Sequence, residues 1–87
     1  MSKKVYAGNL SFITTEETLQ KVFSIFGKIE SVSIIKDKIS GNSKGFGFVT
    51  FEEENAAAQA VHTLSGQEVD GRKIRVSFAE EKSGAKK

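Results

Sequence analysis

The 87 residues contain no cysteine, which excludes disulfide staples, thiolate metal sites and a cysteine nucleophile but does not fix the compartment. Histidine is nearly absent too. The single one, His62, has no second ligand at metal-binding spacing and lies off the nearest apolar stripe, so a surface role is expected for it. The glutamates gather at expected helix starts, where electrostatics explains them; a non-enzymatic chain without cofactor or metal is expected. No run approaches the length of a membrane span. The amino end, Met1 to Lys4, is basic, but Val5 to Asn9 is too short and too glycine-interrupted for a signal segment, so no membrane role and a cytoplasmic location are expected. There is no internal repeat and no low-complexity stretch.

What is present suits one small globular domain: 38% hydrophobic and 28% charged residues, with a net charge of +2. That domain is expected over residues 1–80, followed by a short, mobile, basic tail over residues 81–87. A chain this short buries one modest core, so its stability margin is thin. The charge is unevenly spread. The two expected helices carry −4 between them, which against +2 overall leaves +6 for everything else. If both helices cover one side of a sheet, the other side is electropositive and attracts phosphate; simple scatter of surface charge is the competing reading.

Periodicity gives the order of elements. Val5 to Leu10 reads as a strand running into a loop. Thr14 is the expected N-cap of a helix to Phe26, with Glu17 completing a capping box. Leu19, Val22, Phe23 and Phe26 form one apolar stripe, and Gly27 ends it as a C′ glycine. Ser31 to Lys36 is a second strand, with Val32 and Ile34 on one face and Ser33 and Ile35 on the other. Ser40-Gly41-Asn42 marks a turn, and Lys44 to Phe51 a third strand. A second helix from Glu52 carries Ala57, Ala60, Val61 and Leu64 on its stripe and closes at Gly66. Val69-Asp70-Gly71 is a tight turn before a last strand, Lys73 to Phe78. The expected fold is therefore α+β: a ferredoxin-like β-α-β-β-α-β sandwich, a four-stranded antiparallel sheet with two helices on one face.

Such a sheet has one uncovered face, and side-chain parity decides what lies on it. In the last strand Ile74, Val76 and Phe78 face the helices, leaving Lys73, Arg75 and Ser77 outside. In the first, Tyr6 is the better outside residue against Val5 and Ala7. The third strand is ambiguous alone. Burying Lys44 would be costly, so Val49 and Phe51 are assigned to the core and Phe46 and Phe48 to the open face. The result is a bare aromatic patch of Tyr6, Phe46 and Phe48, which a soluble monomer rarely shows without a use. The alternative is that Phe46 and Phe48 face the helices or lie under a tail.

Lys44-Gly45-Phe46-Gly47-Phe48-Val49-Thr50-Phe51 fits every fixed position of the RNP1 signature, and Val5 to Leu10 looks like its RNP2 companion. On these motifs, over residues 3 to 79, the chain resembles the RNA-recognition motif (RRM) family. Within it, it is similar to small bacterial single-RRM proteins and to the RRM of plant glycine-rich RNA-binding proteins. The resemblance implies a sequence-tolerant single-stranded-RNA-binding module that stacks two or three bases on Tyr6, Phe46 and Phe48, in RNA chaperoning or post-transcriptional regulation. Gly45 and Gly47 are expected to serve packing and strand curvature; with no third glycine at the required spacing they are not a nucleotide loop.

The same resemblance places Lys44 against a phosphate. It leaves Asn9 either bonding a base or fixing the strand end. Ser33 and Ile35 on one side, and Arg75 and Ser77 on the other, flank the platform where base edges are read, with a solvated charge the alternative for Arg75. Lys36 and Lys38 are either backbone grips or solvated loop charges. The chain departs from the plant relatives in ending at Lys82 to Lys87 without a long glycine-rich tail. A monomer is expected. Single-stranded DNA is an alternative ligand, because stacking does not test for the 2′-hydroxyl, and a protein-interaction RRM is the alternative function.

Overall fold

Alternating and helical periodicities resolve in the computed structural model into a four-stranded sheet backed by two helices. The structure describes residues 3–36, 39 and 43–79. The elements are β1 (Lys4–Gly8), α1 (Glu16–Phe23), a 3₁₀ turn (Ser24–Phe26), β2 (Ile29–Lys36), β3 (Ser43–Phe51), α2 (Glu54–Leu64), β4 (Glu68–Val69), β5 (Arg72–Lys73) and β6 (Arg75–Phe78). The main sheet runs β2-β3-β1-β6, antiparallel throughout, and β4 and β5 form a separate two-stranded ribbon. The two central strands, β3 and β1, are thus the octamer and the hexamer singled out in the sequence.

Parity then builds the core. Val32, Val49, Val5 and Phe78 are Cα partners in one row across the sheet, and Ile34, Gly47, Ala7 and Val76 in the next. Val5, Ala7, Val49 and Phe51 are fully buried against Leu19 and Phe23 of α1 and Ala57 and Ala60 of α2. Each large apolar side chain enclosed there contributes roughly 1.5–3 kcal/mol. Phe23 and Phe51 meet at a centroid distance of 6.3 Å, tying α1 to β3. Val22 and Phe26, the rest of the expected stripe, pack at the edge of this core.

Several local expectations are corrected. Thr14 is not the N-cap of α1. That residue is Thr15, whose hydroxyl accepts from the Thr18 N–H at 3.2 Å. Thr14 is instead buried and donates its hydroxyl to Asp70 Oδ2 at 2.7 Å. α1 ends at Phe23, and Gly27 after the 3₁₀ turn is extended rather than left-handed. Glycine is needed there for space: an added Cβ would stand 2.5 Å from the Ala56 Cβ of α2. α2 begins at Glu54, two residues later than expected, with Glu53 as an N-cap that makes no side-chain bond.

The last strand is split as well. Ile74 bonds through its backbone to Gly66 and Gln67 rather than continuing the main sheet, and Lys73 pairs with Glu68 in the ribbon. Asp70 and Gly71 both have positive φ, 53° and 83°, the two-residue hairpin geometry that an Asp-Gly pair favours. Phe78 lies on the helix side as expected but is 37% exposed, because β6 is an edge strand that α2 only partly covers. The turn at residues 40–42, Lys38 and the tail over residues 81–87 lie outside the described residues.

Candidate nucleic-acid interface

Because Val5, Ala7, Gly47, Val49 and Phe51 point into the core, the intervening residues of β1 and β3 face away from both helices. Tyr6, Phe46 and Phe48 therefore stand together on the helix-free side, each half-buried. Tyr6 lies 5.9 Å from Phe46 and 5.9 Å from Phe48, and the two phenylalanines 6.1 Å apart, between ring centroids. The rings are tilted by 33° to 88° to one another, so they form a corrugated platform and not a parallel stack.

Two glycines shape this platform. The Tyr6 ring folds back over Gly8, where an added Cβ would fall 2.6 Å from Cε2; any other residue at position 8 would displace the ring. Gly45 has φ +88° and sits where the β2–β3 register shifts between Ile34 and Lys36, a bulge that bends β3 beside Phe46.

Flanking residues extend the same face to both edges. Ser33, Phe48, Tyr6 and Ser77 form one row of Cα partners across all four strands, and both serines are exposed. Arg75, opposite Gly8, is exposed beside them, and Ile35 on β2 is half-buried. Lys36 and Lys44 belong to β2 and β3, but their side chains lie outside what the structure describes.

Two contributors went unread in the sequence. Lys4 holds its Nζ 4.8 Å from the Phe48 ring centroid, a cation–π contact on the same face; its parity with Tyr6 was the available signal. Arg72 donates from Nη2 to Asn9 Oδ1 at 2.7 Å, and Asn9 Nδ2 donates to the Lys73 carbonyl at 2.7 Å. Between these bonds, and with φ 57°, Asn9 pins the end of β1 to the ribbon. Of its two expected roles, this geometry is that of fixing the strand end.

The described charges differ between the two sides of the sheet. Lys4 and Arg75 lie on the open face, whereas Glu16, Glu17 and Glu30 line a groove between α1 and β2. Glu16 Oε2 also accepts from the Ile34 N–H at 3.2 Å, bringing a carboxylate to the edge strand. Among the described residues no group of three His, Cys, Asp or Glu side chains is placed to hold a metal, and no helix is long and apolar enough to cross a membrane.

Residues 5–75 match the family model of the RNA recognition motif. The chain belongs to the RNA recognition motif family. It is 47% identical over 79 residues to glycine-rich RNA-binding protein 1 of Mycosarcoma maydis, an alignment spanning 91% of this chain and 45% of that protein. It is 41% identical over 85 residues to the mitochondrial glycine-rich RNA-binding protein 4 of Arabidopsis thaliana, across 98% of this chain and 62% of that one. The chain thus spans about half the length of the curated relatives it matches. Among solved structures, the crystal structure of RNA binding protein PG1 superposes with a TM-score of 0.88 at 41% identity, covering 92% of this chain and 96% of that one. The Rna15 RRM with bound RNA (GU) superposes with a TM-score of 0.84 at 27% identity, covering 93% and 86%. The RNA recognition motif here is therefore similar to its relatives over almost the whole described fold.

Proposed function

We propose that this chain binds single-stranded RNA by stacking two or three bases on Tyr6, Phe46 and Phe48. The observation that carries this is the cluster of three rings, all within 6.1 Å of one another, on the sheet face that no helix covers. A base stacked on such a ring contributes about 1–3 kcal/mol whatever its identity. Ser33, Ile35, Arg75 and Ser77 flank the rings and contact base edges or the backbone, and Lys4 and Lys44 supply charge for phosphate. Relatives named as RNA-binding proteins and a superposing RRM bound to GU RNA support the choice of ligand.

The domain acts by binding and not by catalysis. A short, sequence-tolerant footprint suits RNA chaperoning or post-transcriptional regulation, and action in the cytoplasm is part of the same proposal. The mitochondrial name of one relative makes a fluorescent fusion the appropriate check on location.

Binding of a short labelled RNA, before and after Phe46→Ala plus Phe48→Ala, tests the proposal. Severe loss of affinity with an unchanged circular dichroism spectrum is expected. Unchanged affinity would favour a protein partner, and equal affinity for the matching DNA would broaden the ligand to any single strand.

A further inference from the structure

One end of the platform opens into a recess that Tyr6 and Phe46 share with the loop after β1. Tyr6, Asn9, Phe12, Gly45, Phe46 and Arg72 line it, and its volume is about 320 Å³. Phe12 is 75% exposed, although Leu10 and Thr14 on either side of it are buried. It is thus a large aromatic held out of the core by a loop anchored at both ends.

That loop is tied down by four hydrogen bonds. The Leu10 N–H donates to the Gly45 carbonyl at 2.8 Å, and Thr14 donates to Asp70 at 2.7 Å. Asn9 donates to the Lys73 carbonyl and accepts from Arg72, both at 2.7 Å. The bond to Asn9 uses one of the five N–H donors of Arg72 and draws its guanidinium to the recess, where its charge suits an anion. Ring, cation and hydrogen-bonded loop therefore meet at a recess continuous with Tyr6 and Phe46.

We propose that this recess takes one further nucleotide of the bound strand, its base against the Phe12 ring and its phosphate against the Arg72 guanidinium. This rests on the platform binding a single strand. The occupant is a nucleotide rather than an apolar peptide because Asn9 and Arg72 make the recess polar and cationic, and because two of its walls are platform rings.

Fluorescence anisotropy with labelled random-sequence RNAs of three to seven nucleotides tests this on the full chain. Phe12→Ala is expected to leave the shortest RNA unaffected and to weaken the longer ones about 5- to 150-fold, the range for one lost stack. Phe12→Trp should retain binding, whereas Phe12→Leu, which keeps apolar bulk without an aromatic face, should behave like the alanine variant. Arg72→Gln should flatten the salt dependence by about one phosphate contact. Equal affinity of wild type and Phe12→Ala at every length, with Phe46→Ala plus Phe48→Ala still abolishing binding, would overturn the recess and leave the platform standing. A loss of equal size at all lengths would also overturn it, since the loop would then be acting through the platform. Failure of the double variant to weaken binding would defeat the platform itself. Thermal melting of each variant separates these outcomes from unfolding.

Discussion

Tyr6 and Phe48 are Cα partners across β1 and β3, and their rings meet edge-on at 5.9 Å with a 62° angle between planes. Each ring thus supports the other's orientation while offering its own surface to solvent. Tyr6→Ala and Phe48→Ala should each weaken RNA binding about 5- to 150-fold. The double variant should lose less than the product, because each ring helps to position the other. A double-mutant cycle on a six-nucleotide RNA measures this coupling; strict additivity would mean that the rings act independently.

Phe48 and Phe51 lie three residues apart on β3 and so point to opposite faces. Phe51 is fully buried between the sheet and Phe23, whereas Phe48 is half-buried on the open face. Phe51→Ala should therefore cost about 3–5 kcal/mol of stability. Phe48→Ala should cost less than about 1.5 kcal/mol and act on binding instead. Urea denaturation of both variants checks the contrast, and similar costs would contradict the face assignment.

Arg75 contributes charge without burial, so its effect should be electrostatic. With roughly two or three phosphate contacts, log K should fall against log salt with a slope of about −1.5 to −2. Arg75→Gln should reduce the slope by roughly 0.7 while leaving the fold unchanged. Titrations at several potassium chloride concentrations read this directly. An unaltered slope would place Arg75 away from the backbone.

The Thr14–Asp70 bond joins the loop after β1 to the ribbon across 56 residues of sequence. Thr14→Val keeps the shape of the buried side chain and removes the donor, which should cost about 1–2 kcal/mol. Three-nucleotide RNA should bind the variant almost as well as wild type, since the three rings are untouched. A melting curve beside an anisotropy titration separates the two effects.

Much of this was legible in the sequence because it is local. Alternation assigned Val5, Ile74 and Val76 to the core and Tyr6 to the open face, the cost of burying Lys44 put Val49 inside and Phe46 and Phe48 outside, and the octamer from Lys44 to Phe51 carried the family. The element order followed from two periodicities and a few turn residues. What escaped was set by distant partners. Thr14 and Thr15 are equivalent as caps by residue type, and only Asp70 decides between them. The choice between Asn9's two roles depended on Arg72 and Lys73, which no local pattern connects to it. The split at Ile74 and the exposure of Phe78 follow from tertiary pairing at an edge strand. Gly45 was expected to curve its strand, but the register shift that makes it necessary arises only against β2.

The most direct measurement uses the fact that Tyr6 is the only tyrosine in a chain without tryptophan. Its intrinsic fluorescence therefore reports the platform alone, with no label. Addition of single-stranded RNA should quench this emission with a midpoint matching the anisotropy of a labelled strand, because a base comes to rest on the ring. Saturated binding by anisotropy with Tyr6 emission unchanged would contradict the account.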